Sequence, residues 1–322
     1  MQAFVYLEIR YMTDRKLTDF HADDYGLSMN NSIRIMQLLD EGRLDSISII
    51  PNMSSYKECM EYLNLKWDLL GAKPLISVHL NIADGFSLSE IDDPLFTKTI
   101  ETADGEKKVF HTPWGRLFIC SFIPGRRKKI REELTEEFAL QIRKVWDDLP
   151  EGTNSPDGSR TLLRLDSHTH THMIPVVFDA MMDAVEKIGA ADRLAFVRVS
   201  REPGGPFKQI RGTYPKINRL KNMILNLLSR RAEHILDKKG ISYGLLWGLI
   251  MSGRMDRERV EKLLPQMVSI AESSGKTLEI LSHPGIVLLS ERYPEFGADD
   301  MEFVYSSNRD TEYDMVKNAA RA

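Results

Sequence analysis

Short apolar runs alternate with longer amphipathic segments along most of the chain. The runs Leu17–Ala22, Ser46–Ile50, Leu75–His79, Leu162–Asp166, Leu194–Val199, Gly244–Met251 and Thr277–His283 predict β-strands without a solvated face. Between them apolar positions recur at helical spacing. Asn30–Glu41 carries Ile33, Ile35, Met36, Leu38 and Leu39 before Gly42. Ser54–Leu65, Ile130–Leu149, Pro175–Gly189, Asn218–Lys239 and Asp256–Ser274 follow the same logic, several ending at or near a glycine. Such alternation predicts a parallel sheet with helices outside it. Seven or so βα units predict a closed or nearly closed barrel, with an open doubly wound sheet as the alternative. No linker, composition break or internal repeat divides the chain, so a single domain is expected. The least regular stretch, Ala83–Arg127, reads as a long loop forming a lid or binding wall.

Composition changes this picture little. The 322 residues are 42% hydrophobic and 28% charged, with a net charge of −4. That weak acidity argues against nucleic acid as a partner, since phosphate neutralisation needs a basic surface. The basic residues of Asn218–Lys239 read as a solvated helix face. The two cysteines, Cys59 and Cys120, form no C-x-x-C pair, which suits a reducing cytoplasm and leaves no structural zinc motif. No run approaches the ~20 apolar residues of a membrane span. The opening MQAFVYLEIRYM is interrupted by Glu8 and Arg10 and lacks the basic start of a signal peptide. Met12 offers a second start, making residues 1–11 a dispensable extension ahead of a domain over 12–322.

Chemistry enters at the strand ends. In His21-Ala-Asp-Asp-Tyr-Gly26, neighbouring side chains of an extended strand would point apart, but the following Tyr-Gly implies a turn able to rotate Asp24 toward Asp23. Singly, each Asp also reads as a turn former or helix N-cap. In Asp166-Ser-His-Thr-His-Thr-His172, Asp166, His168, His170 and His172 share parity, so an extended segment presents all four on one side. Alternate residues lie ~6.5–7 Å apart, so at most two adjacent ones share a metal. The cluster points to metal binding or acid–base chemistry without fixing which histidine does what. His79 in SVHLNI and His283 in LEILSHPG fall at the same predicted mouth; alone, each reads as a hydrogen-bonded structural residue. His111 and His234 have no such context. One Asp and two His suit a divalent ion with positions left for water and a substrate oxygen. A second, non-ligating carboxylate then serves to deprotonate water, and a histidine to protonate the leaving group.

Taken in order, HADDYGLS, VHLNI, LDSHTHTHMIPVVFDA, VRVSREP and LEILSHPG resemble the YdjC-like carbohydrate deacetylases, a family that includes chitooligosaccharide deacetylases, from about Leu17 to about Met315. The resemblance implies a TIM-like, somewhat irregular (β/α) barrel that removes N-acetyl groups from amino sugars or oligosaccharides. It implies metal ligands at Asp24, His79 and His168, a catalytic carboxylate at Asp23 and, more loosely, a general-acid histidine at His283. Arg198 falls near the site, orienting Asp23 or the substrate. His170 and His172 are candidates for substrate contact or for supporting the ligands, and Trp114 for stacking on a sugar, although lid packing is the plainer reading of Trp114. The cofactor expected is one divalent ion, magnesium first, with zinc, cobalt, manganese or nickel also compatible. His21 replaces an Asn common in the family and is expected only to pack beneath the site. Barrels of this class are often homodimers, but no interface is legible. Two alternatives stand beside deacetylation: metal-dependent phosphoester or amide hydrolysis, where two or three ions are common, and a non-catalytic sugar-binding protein that has kept the pocket.

Overall fold

The computed structural model describes residues 17–291, 293–296 and 301–319. The expected extension over residues 1–11, and Met12, lie outside the described residues. In chain order the strands are β1 (Thr18–Tyr25), β2 (Ser46–Ile49), β3 (Leu75–Leu80), β4 (Thr97–Thr102), β5 (Gly105–Phe110), β6 (Leu163–Ser167), β7 (Leu194–Val197), β8 (Leu245–Trp247) and β9 (Leu278–Ser282). The helices are α1 (Met29–Asp40), α2 (Tyr56–Trp67), α3 (Trp114–Cys120), α4 (Pro124–Asp148), α5 (Pro175–Lys187), α6 (Lys216–Lys239), α7 (Arg257–Ser273), α8 (Met301–Val304) and α9 (Asn308–Asn318). No helix among the described residues is long and apolar enough to cross a membrane.

All seven expected strands are present in one sheet, ordered β7-β6-β3-β2-β1-β9-β8, and every pairing in it is parallel. α1, α4 and α7 pack against β1, β3 and β9. Local signals set their ends: Ser28 and Asp256 accept the amides of Asn31 and Arg259 as N-caps, and Pro124 and Pro175 open α4 and α5. The predicted strand over Gly244–Met251 is cut to three residues. Gly248 ends it at φ 149°, where a Cβ would lie 2.9 Å from the Leu281 carbonyl oxygen. The stretch Ala83–Arg127 also departs from the expected structureless loop. Its TKTIET and GEKKVF segments pair as an antiparallel β4–β5 hairpin, followed by α3 and the first turn of α4.

The sheet curls until its outer strands meet. Val197 N–H donates to the Ser242 carbonyl at 3.0 Å, Ser242 N–H to Ala195 at 3.2 Å, and Leu246 N–H to Arg201 at 2.9 Å. The Glu202 carboxylate completes this seam by accepting the amides of Gly248, Leu249 and Ile250 at 2.8–3.0 Å. The described residues thus form a curled seven-stranded sheet closed at a bridge and a carboxylate; a complete eight-stranded TIM ring is not formed. Phe20, Ile47, Val78 and Leu165 belong to the buried apolar core. The alternate residues Asp19, His21, Asp23, Ser46, Ser48, His79 and Asp166 contact one another across β1, β2, β3 and β6, so the concave face is polar.

Burial raises Glu202 from its ordinary 4.5 to about 7, against the amides and Asn222, which pull it down. The folded state therefore binds this proton more tightly than the unfolded one, and stability falls as pH rises from 4.5 through about 7. Glu202→Gln removes that dependence. Melting curves taken from about pH 5 to about pH 8 are expected to show wild type losing ground to Glu202→Gln as pH rises. A pH-independent difference between the two would contradict this account of the seam.

Candidate active site

The carboxyl end of β1 resolves how two adjacent aspartates serve one site. The β1–β2 register slips between Ala22 and Tyr25, and Asp24 adopts φ 71°, a left-handed conformation that costs a non-glycine residue ~1–3 kcal/mol. The bulge lets Asp23 and Asp24 both approach His79 Nε2, which lies 3.7 Å from Asp23 Oδ2 and 3.7 Å from Asp24 Oδ1. Gly26 follows at φ 92°, and a Cβ there would meet the Ile50 carbonyl oxygen at 2.8 Å.

Asp24, His79 and His168 bring one ligand atom each within 4.8 Å of one another, all buried. His168 Nδ1 is 3.2 Å from Asp24 Oδ1, while Arg309 of α9 donates to Asp24 Oδ2 at 2.9 Å. His79 Nδ1 pairs with Asp166 Oδ1 at 2.6 Å, which fixes the tautomer and points the Nε2 lone pair into the cluster. His79 Nε2 is buried with no hydrogen-bond partner among the described residues, the state expected of a ligand atom. These residues fit a divalent cation.

Asp23 is bound differently. Arg198 forks onto both its oxygens, at 3.0 and 2.8 Å, and His21 Nε2 approaches at 3.0 Å. Burial alone would raise the Asp23 carboxyl; Arg198, His79 and His21 outweigh it and hold the group well below the carboxylate range. Arg198 also reaches Asp166 Oδ2 at 3.0 Å and Glu279 Oε1 at 2.5 Å. Burial disfavours its charge, but Asp166, Asp23 and Glu279 keep the guanidinium firmly protonated. His21 does more than pack. Its two nitrogens lie 2.6 Å from Ser46 Oγ and 2.7 Å from Ser48 Oγ, and Ser48 continues the chain to Asp166.

The three histidines after Ser167 do not share one face, because the segment is not extended. His168–Met173 forms a tight 3₁₀ turn with Thr169 at φ 52° and His170 at φ 57°. His168 goes to Asp24. His172 is fully engaged: its Nε2 donates to the Arg198 carbonyl at 2.9 Å and its Nδ1 takes the Ser167 hydroxyl at 2.5 Å. His170 keeps part of its surface open and holds Ser200 Oγ through Nδ1 at 3.1 Å. Burial of its ring, then Arg198 and His172, depress its pKa well below 6.5, so it is neutral. His283 follows β9, with Nδ1 and backbone N–H both directed at Glu312 Oε2 of α9, at 3.2 and 2.7 Å. Trp114, half-buried, stacks on Phe118 in α3.

Sequence reasoning missed Arg309 and Glu312, which carry no motif, and Glu279, whose signal was a lone charge inside an otherwise apolar strand. Asp166 was noticed only for its parity.

The fold and site together define an α/β protein with a curled parallel sheet whose strand ends carry a buried Asp–His–His cluster that could hold a metal ion, and beside it a carboxylate held by an arginine. The model of the YdjC-like proteins matches residues 20–321, and the chain belongs to this family, a carbohydrate-processing group related to carbohydrate deacetylases. A solved structure from Enterococcus faecalis V583, described as a "putative cellobiose-phosphate cleavage protein", shares the fold. It aligns with a TM-score of 0.57 over 94% of this chain and 90% of that one, at 14% identity. No curated protein matches the chain by sequence.

Asp166 supplies a test of this geometry. Asp166→Asn is expected to loosen the His79 ring and weaken divalent-metal affinity by about 10–100-fold, read by equilibrium dialysis. Unchanged affinity would show that His79 does not depend on Asp166 for its aim.

Proposed function

We propose that the protein removes N-acetyl groups from amino sugars or their oligosaccharides, hydrolysing the acetamide to acetate and a free amine. The observation that carries this reading is the different partnering of two carboxylates at one strand end: both lie 3.7 Å from His79 Nε2, but Asp24 alone meets His168, while Arg198 forks onto both oxygens of Asp23. A pure binding site has no use for a second carboxylate held ionised.

Asp24, His79 and His168 would hold the ion. When bound, a divalent cation there supplies Lewis acidity, polarising the acetamido carbonyl and acidifying water. Two imidazoles and one carboxylate suit zinc, cobalt, nickel or manganese better than magnesium, which prefers an all-oxygen shell. Asp23 accepts the proton of the attacking water, and Arg198 keeps its carboxylate aimed and ionised beforehand. His283, held at Nδ1 by Glu312, presents Nε2 to protonate the departing nitrogen. His170, with a strained backbone and an open edge, faces the sugar rather than the metal. The description attached to the Enterococcus faecalis structure stays with that protein, since 14% identity carries only the fold.

Acetate release measured over N-acetylated mono- and oligosaccharides, with each metal restored after chelation, tests the reading directly. We expect release that chelation abolishes and one of these ions restores. Asp23→Asn is expected to lower turnover by about 10²-fold or more while metal content is unchanged. His168→Ala should lose metal and activity together. Absence of acetate from every substrate, with metal bound, would return the protein to the sugar-binding class.

A further inference from the structure

Beside the Asp24–His79–His168 cluster lies a second set with ligand-like spacing. One atom each from His21, Asp23 and Asp166 falls within 4.8 Å of the others, and all three residues are buried. The two sets adjoin closely: Asp23 and Asp166 both approach His79, at 3.7 and 2.6 Å. Two such sets sharing a wall resemble a two-ion centre in outline, with Asp166 reaching toward both through its separate oxygens.

The second position is filled by the protein itself. Arg198 Nη2 lies 2.8 Å from Asp23 Oδ1 and 3.0 Å from Asp166 Oδ2, and the side chain is 1% exposed. We propose that the Arg198 guanidinium is a built-in second cation that keeps this centre mononuclear. The inference rests on the reading that Asp24, His79 and His168 bind an ion.

Charge balance points the same way. With His21, His79 and His168 neutral and Glu279 ionised, Asp23, Asp24, Asp166 and Glu279 face the buried cations Arg198 and Arg309, leaving two net negative charges. One divalent ion roughly neutralises that group. A second would leave an excess of buried positive charge unless Arg198 were removed. An arginine that served only to hold Asp23 ionised would leave a different trace: without it, the carboxylates would take up protons and admit no further metal. The two roles therefore diverge in what the arginine-free protein binds.

The experiment is metal stoichiometry on the full chain, stripped with chelator and titrated with manganese, read by metal analysis after dialysis and by low-temperature electron paramagnetic resonance. Wild type is expected to bind one ion per chain with the signal of isolated manganese, even under excess metal. Arg198→Met and Arg198→Gln, the second retaining polar contacts if the first fails to fold, are expected to bind two ions with a spin-coupled signal. Adding Asp166→Asn should return either variant to one. Two ions in wild type, or one ion in a folded arginine-free variant, would overturn the proposal. No ion in wild type would instead remove the metal centre itself. Acetate release does not enter these readouts, so failure of the deacetylase reading is separately visible.

Discussion

Arg198 has to satisfy three carboxylates at once, and most of the barrel interior is arranged around that requirement. Asp23, Asp166 and Glu279 come from three strands and would repel one another in a space closed to water. A single planar guanidinium, forked onto one and reaching the other two, makes their proximity tolerable. The serines of β2 and the His21 ring link Asp19 and Asp166 to the same group, so the concave face is a connected polar network instead of the layered apolar packing usual in closed barrels. His79 belongs to that network through Asp166, and its free nitrogen is its outlet toward the site.

Of the five described non-glycine residues with positive φ, Glu90 and Asn154 lie elsewhere and three fall at two places beside this polar face. Asp24 is left-handed at the end of β1, and Thr169 and His170 are left-handed in the turn after β6. Each departure delivers a side chain where a regular strand would have turned it away. The surrounding bonds hold them: Arg309 and His168 on Asp24, and the His172 anchor to the Arg198 carbonyl below the turn. With Asp24 rotated, the two aspartates take different partners, His168 and Arg309 on Asp24 and Arg198 and His21 on Asp23.

The legible part of this arrangement was the part written locally. Strand periods located all seven strands of the parallel sheet, and strand ends placed Asp23, Asp24, His79, His283 and the Asp166–His172 segment on one rim, whereas the choice of His168 within that segment, and of His79 as a ligand, came from the family resemblance. The His-x-His-x-His run misled where parity was applied to a segment that leaves the extended conformation at Thr169, a change that no nearby glycine or proline announces. The hairpin was hidden for another reason. Its segments carry few apolar residues, Ile100 in β4 and the adjacent Val109 and Phe110 ending β5, too few to set a period of two. Arg309 and Glu312 were out of reach altogether, since a helix residue gains its meaning only when tertiary folding lays it against β1 or β9.

Those last two residues bear on how the protein is made. β1, with the first acidic pair, lies between β2 and β9, and the arginine that braces Asp24 arrives 285 residues after it. During synthesis the first strand must wait for the last before its edge is covered, and the partner that offsets the charge of Asp24 emerges later still. A nascent or prematurely terminated chain thus carries an aspartate pair with no brace and a sheet with an open edge. Such a chain exposes an unpaired strand edge, the kind of surface that makes incomplete parallel sheets prone to aggregate, and its Asp24 lacks the guanidinium that braces it in the whole fold.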